Sequence, residues 1–277
     1  MAKHHPQWLD KYLGPWITNA RFHAMCRNFC STLRLGNYDA VVGVPRSGML
    51  PASMASLSLG VPLWSLDTSG KVALDTGQRL RDVGKKRINK LLVIDDSCAS
   101  GRAMQKVKRL MKLDCMNYDV TFAAVLVTSN GESYVDQYYK RLELPHWFEW
   151  NFFGNSGLIS HLKLGVDFEG IIQDRETGEL NSMIPRHTHI PVIVSEKLET
   201  ARPNVLDWLA KRDVSCDHLV MPKVTSPLAT FTQWKAKQCD DLGVWTYMAH
   251  EPQQARAMTK LRNKLVICPA IGRSLHF

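Results

Sequence analysis

The chain has 277 residues, more than a typical single domain holds, and this length favours two domains. Its composition is that of a globular protein, with 45% hydrophobic and 22% charged residues, which excludes a disordered or fibrous chain. The net charge of +9 permits nucleic acid, a membrane surface or an acidic small molecule as a partner, without choosing among them.

The cysteines and the apolar segments bear on the compartment. The 7 cysteines are odd in number and scattered, which favours a reducing compartment over a disulfide framework. Cys26 and Cys30 are one helical turn apart, but no second pair with ligand spacing follows, so packing thiols are a better interpretation than a metal site. No apolar run approaches the length of a membrane helix, and the N-terminus lacks a signal-peptide core. We therefore expect a soluble, cytoplasmic protein with no membrane partner.

Helical and strand-like segments alternate along the first half of the chain. Apolar residues recur with helical spacing over residues 16–34, and residues 38–44 form an apolar strand that leads into a turn. The segments that follow are a helix over 49–59, a short strand over 61–64, a strand over 90–94, a helix over 102–113 and a strand over 120–127. Continuous apolar strands separated by helices predict a parallel sheet covered on both faces.

The alternation stops over residues 130–157, which are aromatic and irregular, and we place a domain boundary near residue 150. The second half restarts it, with a predicted helix over 201–212 and strands over 162–166, 190–194, 218–221, 244–248 and 264–268. The predicted organisation is two α/β domains, one of residues 1–150 and a smaller one of residues 151–277.

The most specific pattern in the chain follows the strand at residues 90–94. Asp95 and Asp96 stand at its carboxyl end, where open α/β sheets bind ligands. The turn into the next helix reads Ser97-Cys98-Ala99-Ser100-Gly101-Arg102. Small residues at a helix N-terminus let backbone N–H groups approach a phosphate, and two carboxylates suit the vicinal hydroxyls of a sugar. An ordinary acidic N-cap, the alternative, needs only one Asp.

A second strand-to-helix turn lies earlier in the chain and reads Pro45-Arg46-Ser47-Gly48. The two turns, in this order, resemble those of type I phosphoribosyltransferases. The resemblance implies that Asp95 and Asp96 contact the ribose hydroxyls of 5-phosphoribosyl-1-pyrophosphate (PRPP), and that residues 97–102 hold its 5-phosphate. Arg46, Ser47 and Gly48 would then bind the pyrophosphate. The sequence departs from the family at Ser100, where Thr is usual, and at Ala103, which lacks a hydroxyl often found there.

The resemblance also implies a reaction, in which a nitrogen nucleophile displaces pyrophosphate from C1 of the ribose. Mg²⁺ would bridge substrate oxygens, and the paired acids would contact it indirectly, through Mg·PRPP. A loop within residues 65–89 would close over the reacting centre, with Lys71 and Arg79 as catalytic cations and Arg81 beside them. The alternative is a solvated loop with ordinary surface charge. Nucleotide metabolism and a homodimer are further expectations, while the acceptor is not indicated.

The second half resembles haloacid-dehalogenase-like phosphatases. Asp167 ends a predicted strand and Glu169 follows, where that family has Asp-x-Asp. By this resemblance Ser195 is the second motif, Lys235 the third and Glu251 the acid of the fourth. Glu169 is one methylene longer than Asp, and Glu251 stands alone where two acids are usual. We therefore expect a degenerate domain that places substrate or forms dimer contacts.

Four functions stay open on the sequence. They are a phosphoribosyltransferase, a non-catalytic regulator that binds PRPP or a nucleotide, a phosphatase in the second half, and a base-modifying enzyme that acts on nucleic acid. The loop cations favour the first over the second, because binding ribose phosphate alone needs no pyrophosphate clamp. The basic residues are spread along the chain without interleaved stacking aromatics, so nucleic acid is permitted but not favoured.

Overall fold

The computed structural model describes residues 15–66, 72–73, 88–114, 118–142, 146–154, 156–262, 265–271 and 273–275. The chain divides into two compact units. The first unit consists of residues 20–145, and the second consists of residues 146–277 together with the residues before Ala20. This division falls a few residues before the boundary drawn near residue 150, and it groups the first described residues with the second half of the chain.

The strands, numbered in chain order, are β1 (Trp16–Ile17), β2 (Ala40–Gly43), β3 (Leu63–Leu66), β4 (Val72–Ala73), β5 (Lys90–Cys98), β6 (Asp119–Val127), β7 (Gln137–Arg141), β8 (Trp147–Phe148), β9 (Leu164–Asp167), β10 (Thr188–Val194), β11 (Val214–Val220), β12 (Thr246–Met248), β13 (Leu265–Cys268) and β14 (Arg273–Leu275). The α-helices are α1 (Asn19–Leu33), α2 (Met49–Leu59), α3 (Arg102–Asp114), α4 (Glu149–Phe152), α5 (Ser156–His161), α6 (Arg202–Ala210), α7 (Leu228–Asp241) and α8 (Pro252–Arg262). In the described part of the chain, no helix combines the length and apolar character needed to cross a membrane.

The first unit is built on a sheet with the strand order β4-β3-β2-β5-β6-β7. Neighbouring strands from β3 to β7 run parallel, and β4 pairs with β3 antiparallel. The apolar runs of β2, β5 and β6 are buried because these strands lie in the middle of the sheet. The predicted α/β fold with a parallel sheet is confirmed.

The predicted helix over residues 16–34 begins later than expected. Trp16 and Ile17 form β1, which pairs in parallel with β8, and α1 starts only at Asn19. Trp16 is fully buried and meets the ring of Phe152 edge to face, with ring centroids 5.1 Å apart. Tertiary packing of the large ring therefore overrides the helical spacing of the apolar residues.

The strand that carries the paired acids also runs further than expected. Ser97 and Cys98 pair with Leu126 and Val127, so β5 continues two residues beyond Asp96. The length of β6, the partner strand, explains the extension, because its apolar run offers backbone groups up to Val127.

The second unit has a sheet of strand order β11-β10-β9-β12-β13-β14, parallel except for β14. Alternate side chains of its strands enter two separate cores: Ile193 belongs to one, while Val192 and Val194 belong to the other. The predicted α/β class of this half agrees with the structure, and its haloacid-dehalogenase-like assignment stays a prediction. Strand β9 lies in the interior of the sheet, and Asp167 is the residue at its carboxyl end.

Candidate functional site

The two turns singled out in the sequence lie side by side, at the carboxyl ends of two neighbouring strands of the first sheet. Strands β2 and β5 are parallel neighbours, so the turn of residues 45–48 (the β2 turn) lies beside the paired acids, Asp95 and Asp96. The two come close at Gly48, where a Cβ would lie 2.7 Å from Asp95 Oδ1 and 2.5 Å from the Val44 carbonyl oxygen. Only glycine fits at this position of the turn, because any side chain would clash with its neighbours.

The paired acids are buried although they end a strand. Asp95 is 7% exposed and Asp96 is 6% exposed. The Asp96 N–H donates to Asp95 Oδ1 at 2.8 Å. Burial, and then the neighbouring Asp96 charge, raise the pKa of Asp95 from 3.8 to about 9. A nearby cation would favour the ionised form of Asp95.

The turn that follows β5 is shorter than the sequence suggested. Ser97 and Cys98 belong to β5, and the Cys98 side chain is buried in the same core as Met104 and Val107. The turn proper consists of residues 99–102 (the β5 turn). Its residues Ala99, Ser100 and Arg102 are exposed, and Gly101 has a left-handed φ of +74°. Helix α3 starts at Arg102, which places the β5 turn at the N-terminus of a 13-residue helix.

Some predicted site residues are exposed or undescribed. Arg46 is exposed on the β2 turn and Ser47 beside it is half-buried. Lys71, Arg79 and Arg81 lie outside the described residues, so their role as cations for pyrophosphate stays a prediction.

Sequence reasoning missed the turn after β6, residues 128–134 (the β6 turn). A Cβ on Gly131 would overlap the Cys98 carbonyl, and a Cβ on Gly101 would overlap the Tyr134 ring. The Cys98 thiol donates to the Gly131 carbonyl at 3.4 Å. The β6 turn is thus packed directly under the β5 turn. A glycine soon after a buried strand was the one signal available in the sequence.

Residues 21–156 match the family model of the phosphoribosyl transferase domain. This segment is therefore similar to phosphoribosyl transferase domains. The match contains both turns and the paired acids, and it supports a phosphoribosyltransferase, as the sequence predicted. The β2 turn and the β5 turn of the domain correspond to the two motifs on which the family resemblance was based.

Several solved structures are similar to the chain over about half its length. A purine phosphoribosyltransferase from Pyrococcus horikoshii is 22% identical over 49% of this chain and 92% of its own, with a TM-score of 0.39. The xanthine-guanine-hypoxanthine phosphoribosyltransferase of Helicobacter pylori is 16% identical over 49% and 92%, with a TM-score of 0.38. A hypothetical protein from Neisseria gonorrhoeae with bound ppGpp is 19% identical over 53% and 92%, with a TM-score of 0.38.

The donor set of the candidate site in the first unit limits how a metal ion could be held. Among the described residues, no three His, Cys, Asp or Glu side chains gather in a way that could hold a metal ion. The paired acids fit a Mg²⁺ whose other ligands come from substrate and water, because Mg²⁺ keeps several such oxygen ligands.

The second unit gathers polar residues around Asp167. Lys235 Nζ contacts Asp167 Oδ1 at 2.5 Å, and the Tyr247 hydroxyl donates to the same oxygen at 2.6 Å. The His250 N–H donates to Oδ2 at 2.9 Å. Lys235 is 0% exposed, and Gln254 Oε1 accepts its second hydrogen bond at 2.5 Å. Three internal donors therefore surround the Asp167 carboxylate.

The other predicted residues of this unit form a second group. Glu169 accepts from the Ser195 hydroxyl at 2.7 Å and from the Glu196 N–H at 2.9 Å. From helix α8, the Gln254 side chain reaches Lys235. The role of Glu251 as the acid of the fourth motif stays a prediction. Tyr247 and Gln254 were missed because neither residue type signals a site inside an apolar strand or a helix. The haloacid-dehalogenase-like roles of Asp167, Glu169, Ser195 and Lys235 stay predictions.

Proposed function

We propose that the chain transfers phosphoribose from PRPP to a nitrogenous acceptor and releases pyrophosphate. The observation that carries the proposal is the meeting of the β2 turn, the paired acids and the β5 turn at one edge of the first sheet. Each turn would present backbone N–H groups to one phosphate-bearing end of the substrate, with the carboxylates between them for the ribose hydroxyls.

Charge and exposure indicate which part of the substrate each group would bind. The β5 turn stands at the positive end of the α3 dipole, which suits the 5-phosphate. Arg46, exposed on the β2 turn, would supply positive charge to the pyrophosphate. Asp95 and Asp96, in their ionised forms, would accept hydrogen bonds from the ribose hydroxyls and stabilise positive charge that develops on the ring.

Mg²⁺ belongs to this proposal as a partner of the substrate. Bound to the pyrophosphate, Mg²⁺ would make it a better leaving group. Asp95 and Asp96 would meet the ion through Mg·PRPP, and the remaining work of the protein is to position the substrate and exclude water. Lys71 and Arg79 are proposed as the cations that assist departure of the pyrophosphate.

The second unit has a supporting role in this proposal. We assign it as a degenerate haloacid-dehalogenase-like domain that places substrate or forms homodimer contacts. The internal donors around Asp167 support a structural role for that carboxylate over a phosphatase nucleophile. We also propose that the protein is cytoplasmic and acts in nucleotide metabolism.

The strongest competing function is a regulator that binds PRPP without catalysis. One observation favours it: Ala103, exposed in the first turn of α3, has no hydroxyl to donate to a phosphate. An acceptor base within nucleic acid is the other alternative. A steep loss of DNA or RNA affinity with rising salt would favour it, because phosphate contacts release counterions.

Pyrophosphate release separates these functions. The chain would be incubated with PRPP, Mg²⁺ and a panel of purine, pyrimidine and pyridine bases, with pyrophosphate as the readout. We expect release with one acceptor class, and loss of turnover with retained PRPP binding in Lys71→Ala and Arg79→Ala. Arg109→Ala, at an exposed position of α3, is the matched control. Binding of PRPP without release for any acceptor would favour the regulator.

A further inference from the structure

The β6 turn touches the candidate site from the side opposite to the β2 turn. Strand β5 lies between β2 and β6, so the β2 turn and the β6 turn flank it. We propose that Thr128, the first residue of the β6 turn, is a positioning residue that sets the orientation of the amides that bind the 5-phosphate. This inference rests on the proposed function.

Thr128 holds two successive carbonyl groups beside the β5 turn. Its backbone N–H donates to the Cys98 carbonyl oxygen at 3.3 Å. Its side-chain hydroxyl donates to the Ala99 carbonyl oxygen at 2.5 Å. One residue thereby fixes the direction of two consecutive peptide groups, one through its backbone and the other through its side chain.

These two contacts also determine where the neighbouring backbone N–H groups point. In a planar trans peptide the C=O and the N–H point to opposite sides. With the carbonyls of Cys98 and Ala99 directed at Thr128, the N–H groups of Ala99 and Ser100 are directed away from it. Two consecutive N–H groups turned to one side form the kind of concavity that binds an anion. The α3 dipole adds positive charge at the same place.

Thr128 is itself held firmly. Its carbonyl oxygen accepts from the N–H of Gly131 and from the N–H of Glu132, each at 3.0 Å. The Cys98 thiol donates to Gly131, and Tyr134 packs against Gly101. The backbone of the β6 turn therefore stays in place without the Thr128 hydroxyl, and removing that hydroxyl releases only the Ala99 carbonyl.

The expected consequence is selective. The β6 turn adjoins the β5 turn and is separated from the β2 turn by β5, so Thr128 bears on the 5-phosphate and not on the pyrophosphate. Thr128→Val keeps the shape of the side chain and removes the hydroxyl, whereas Thr128→Ser keeps the hydroxyl. The pair separates the hydrogen bond from the bulk of the side chain.

The test is calorimetric titration of ribose 5-phosphate and, separately, of pyrophosphate with Mg²⁺ into wild type and both variants. We expect Thr128→Val to weaken ribose 5-phosphate binding about tenfold, the effect of losing one orienting hydrogen bond. Its pyrophosphate affinity should match that of wild type, and Thr128→Ser should bind both ligands like wild type.

Three results would overturn the inference. Equal ribose 5-phosphate affinity in wild type and Thr128→Val shows that the hydroxyl orients nothing. Equal weakening of both ligands in Thr128→Val, or no rescue in Thr128→Ser, shows a general structural effect. Absence of binding of both ligands by wild type instead contradicts the proposed function itself, so the two failures are distinguishable.

Discussion

At the scale of single residues, Asp95 shows how burial changes a charge. Its carboxyl lies next to Asp96 with little access to water, and its pKa is raised to about 9. An unfolded chain would ionise the same carboxyl near 3.8. Between these values the folded chain binds more protons than the unfolded chain, so the free energy of unfolding falls as pH rises.

Asp95→Asn removes that linkage. We expect the variant to be more stable than wild type at neutral pH, and its unfolding free energy to depend less on pH between 3.8 and about 9. Urea unfolding at several pH values across this window measures the slope. Asp119→Asn, at an exposed carboxylate of β6, is the matched control and should keep the wild-type slope. Parallel slopes for Asp95→Asn and wild type would contradict the assigned pKa.

At the scale of elements, the turns depend on glycines that have no room for a side chain. A Cβ on Gly131 would overlap the Cys98 backbone carbonyl, which cannot move aside as a flexible side chain could. The β5 turn would have to shift to accommodate it. The packing between the β5 turn and the β6 turn therefore links backbone shape to phosphate binding.

Gly131→Ala tests that link. We expect a loss of about 1–3 kcal/mol in the free energy of unfolding and at least tenfold weaker ribose 5-phosphate binding, because overpacking displaces the β5 turn. Gly60→Ala is the control: nothing lies within 4 Å of its Cβ, although its φ is +68°. That control should lose about 1–2 kcal/mol of stability and no affinity. Unchanged affinity in Gly131→Ala would show that the two turns are not coupled.

The elements also show what a sequence can reveal. Strands β2, β5 and β6 were predictable because buried parallel strands are continuous apolar runs. Strand β7 was not, since an edge strand reading Gln137-Tyr138-Tyr139-Lys140-Arg141 carries no apolar signal. The paired acids could be predicted because the two residues are consecutive in the sequence. Tyr247 was missed because it reaches Asp167 from 80 residues away, a contact that only the strand order creates.

At the scale of the whole molecule, the described residues of the proposed PRPP site lie in the first unit, and the buried ion pair of Lys235 and Asp167 lies in the second. Lys235 and Asp167 have almost no access to water, so removing one partner leaves the other charge uncompensated. An exposed pair such as Asp207 on α6 and Lys211 just after it, at 2.7 Å, contributes far less.

Lys235→Met should therefore destabilise the second unit by about 3–5 kcal/mol. PRPP affinity should be retained in the folded variant. Tryptophan fluorescence during urea unfolding reports mainly on the second unit, because Trp64 is the one tryptophan between residues 20 and 145. Lys211→Met, the matched control, should lose less than about 1 kcal/mol. A stable Lys235→Met variant would contradict the structural role of the pair.

The central claim is that the paired acids form part of a PRPP site. Its most direct test is calorimetric titration of PRPP with Mg²⁺ into wild type and into the Asp95→Asn/Asp96→Asn double variant, with Asp119→Asn as control and thermal unfolding to verify folding. We predict micromolar binding by wild type and the control, and its collapse in the folded double variant. No binding by wild type, or equal binding by the double variant, would contradict the claim.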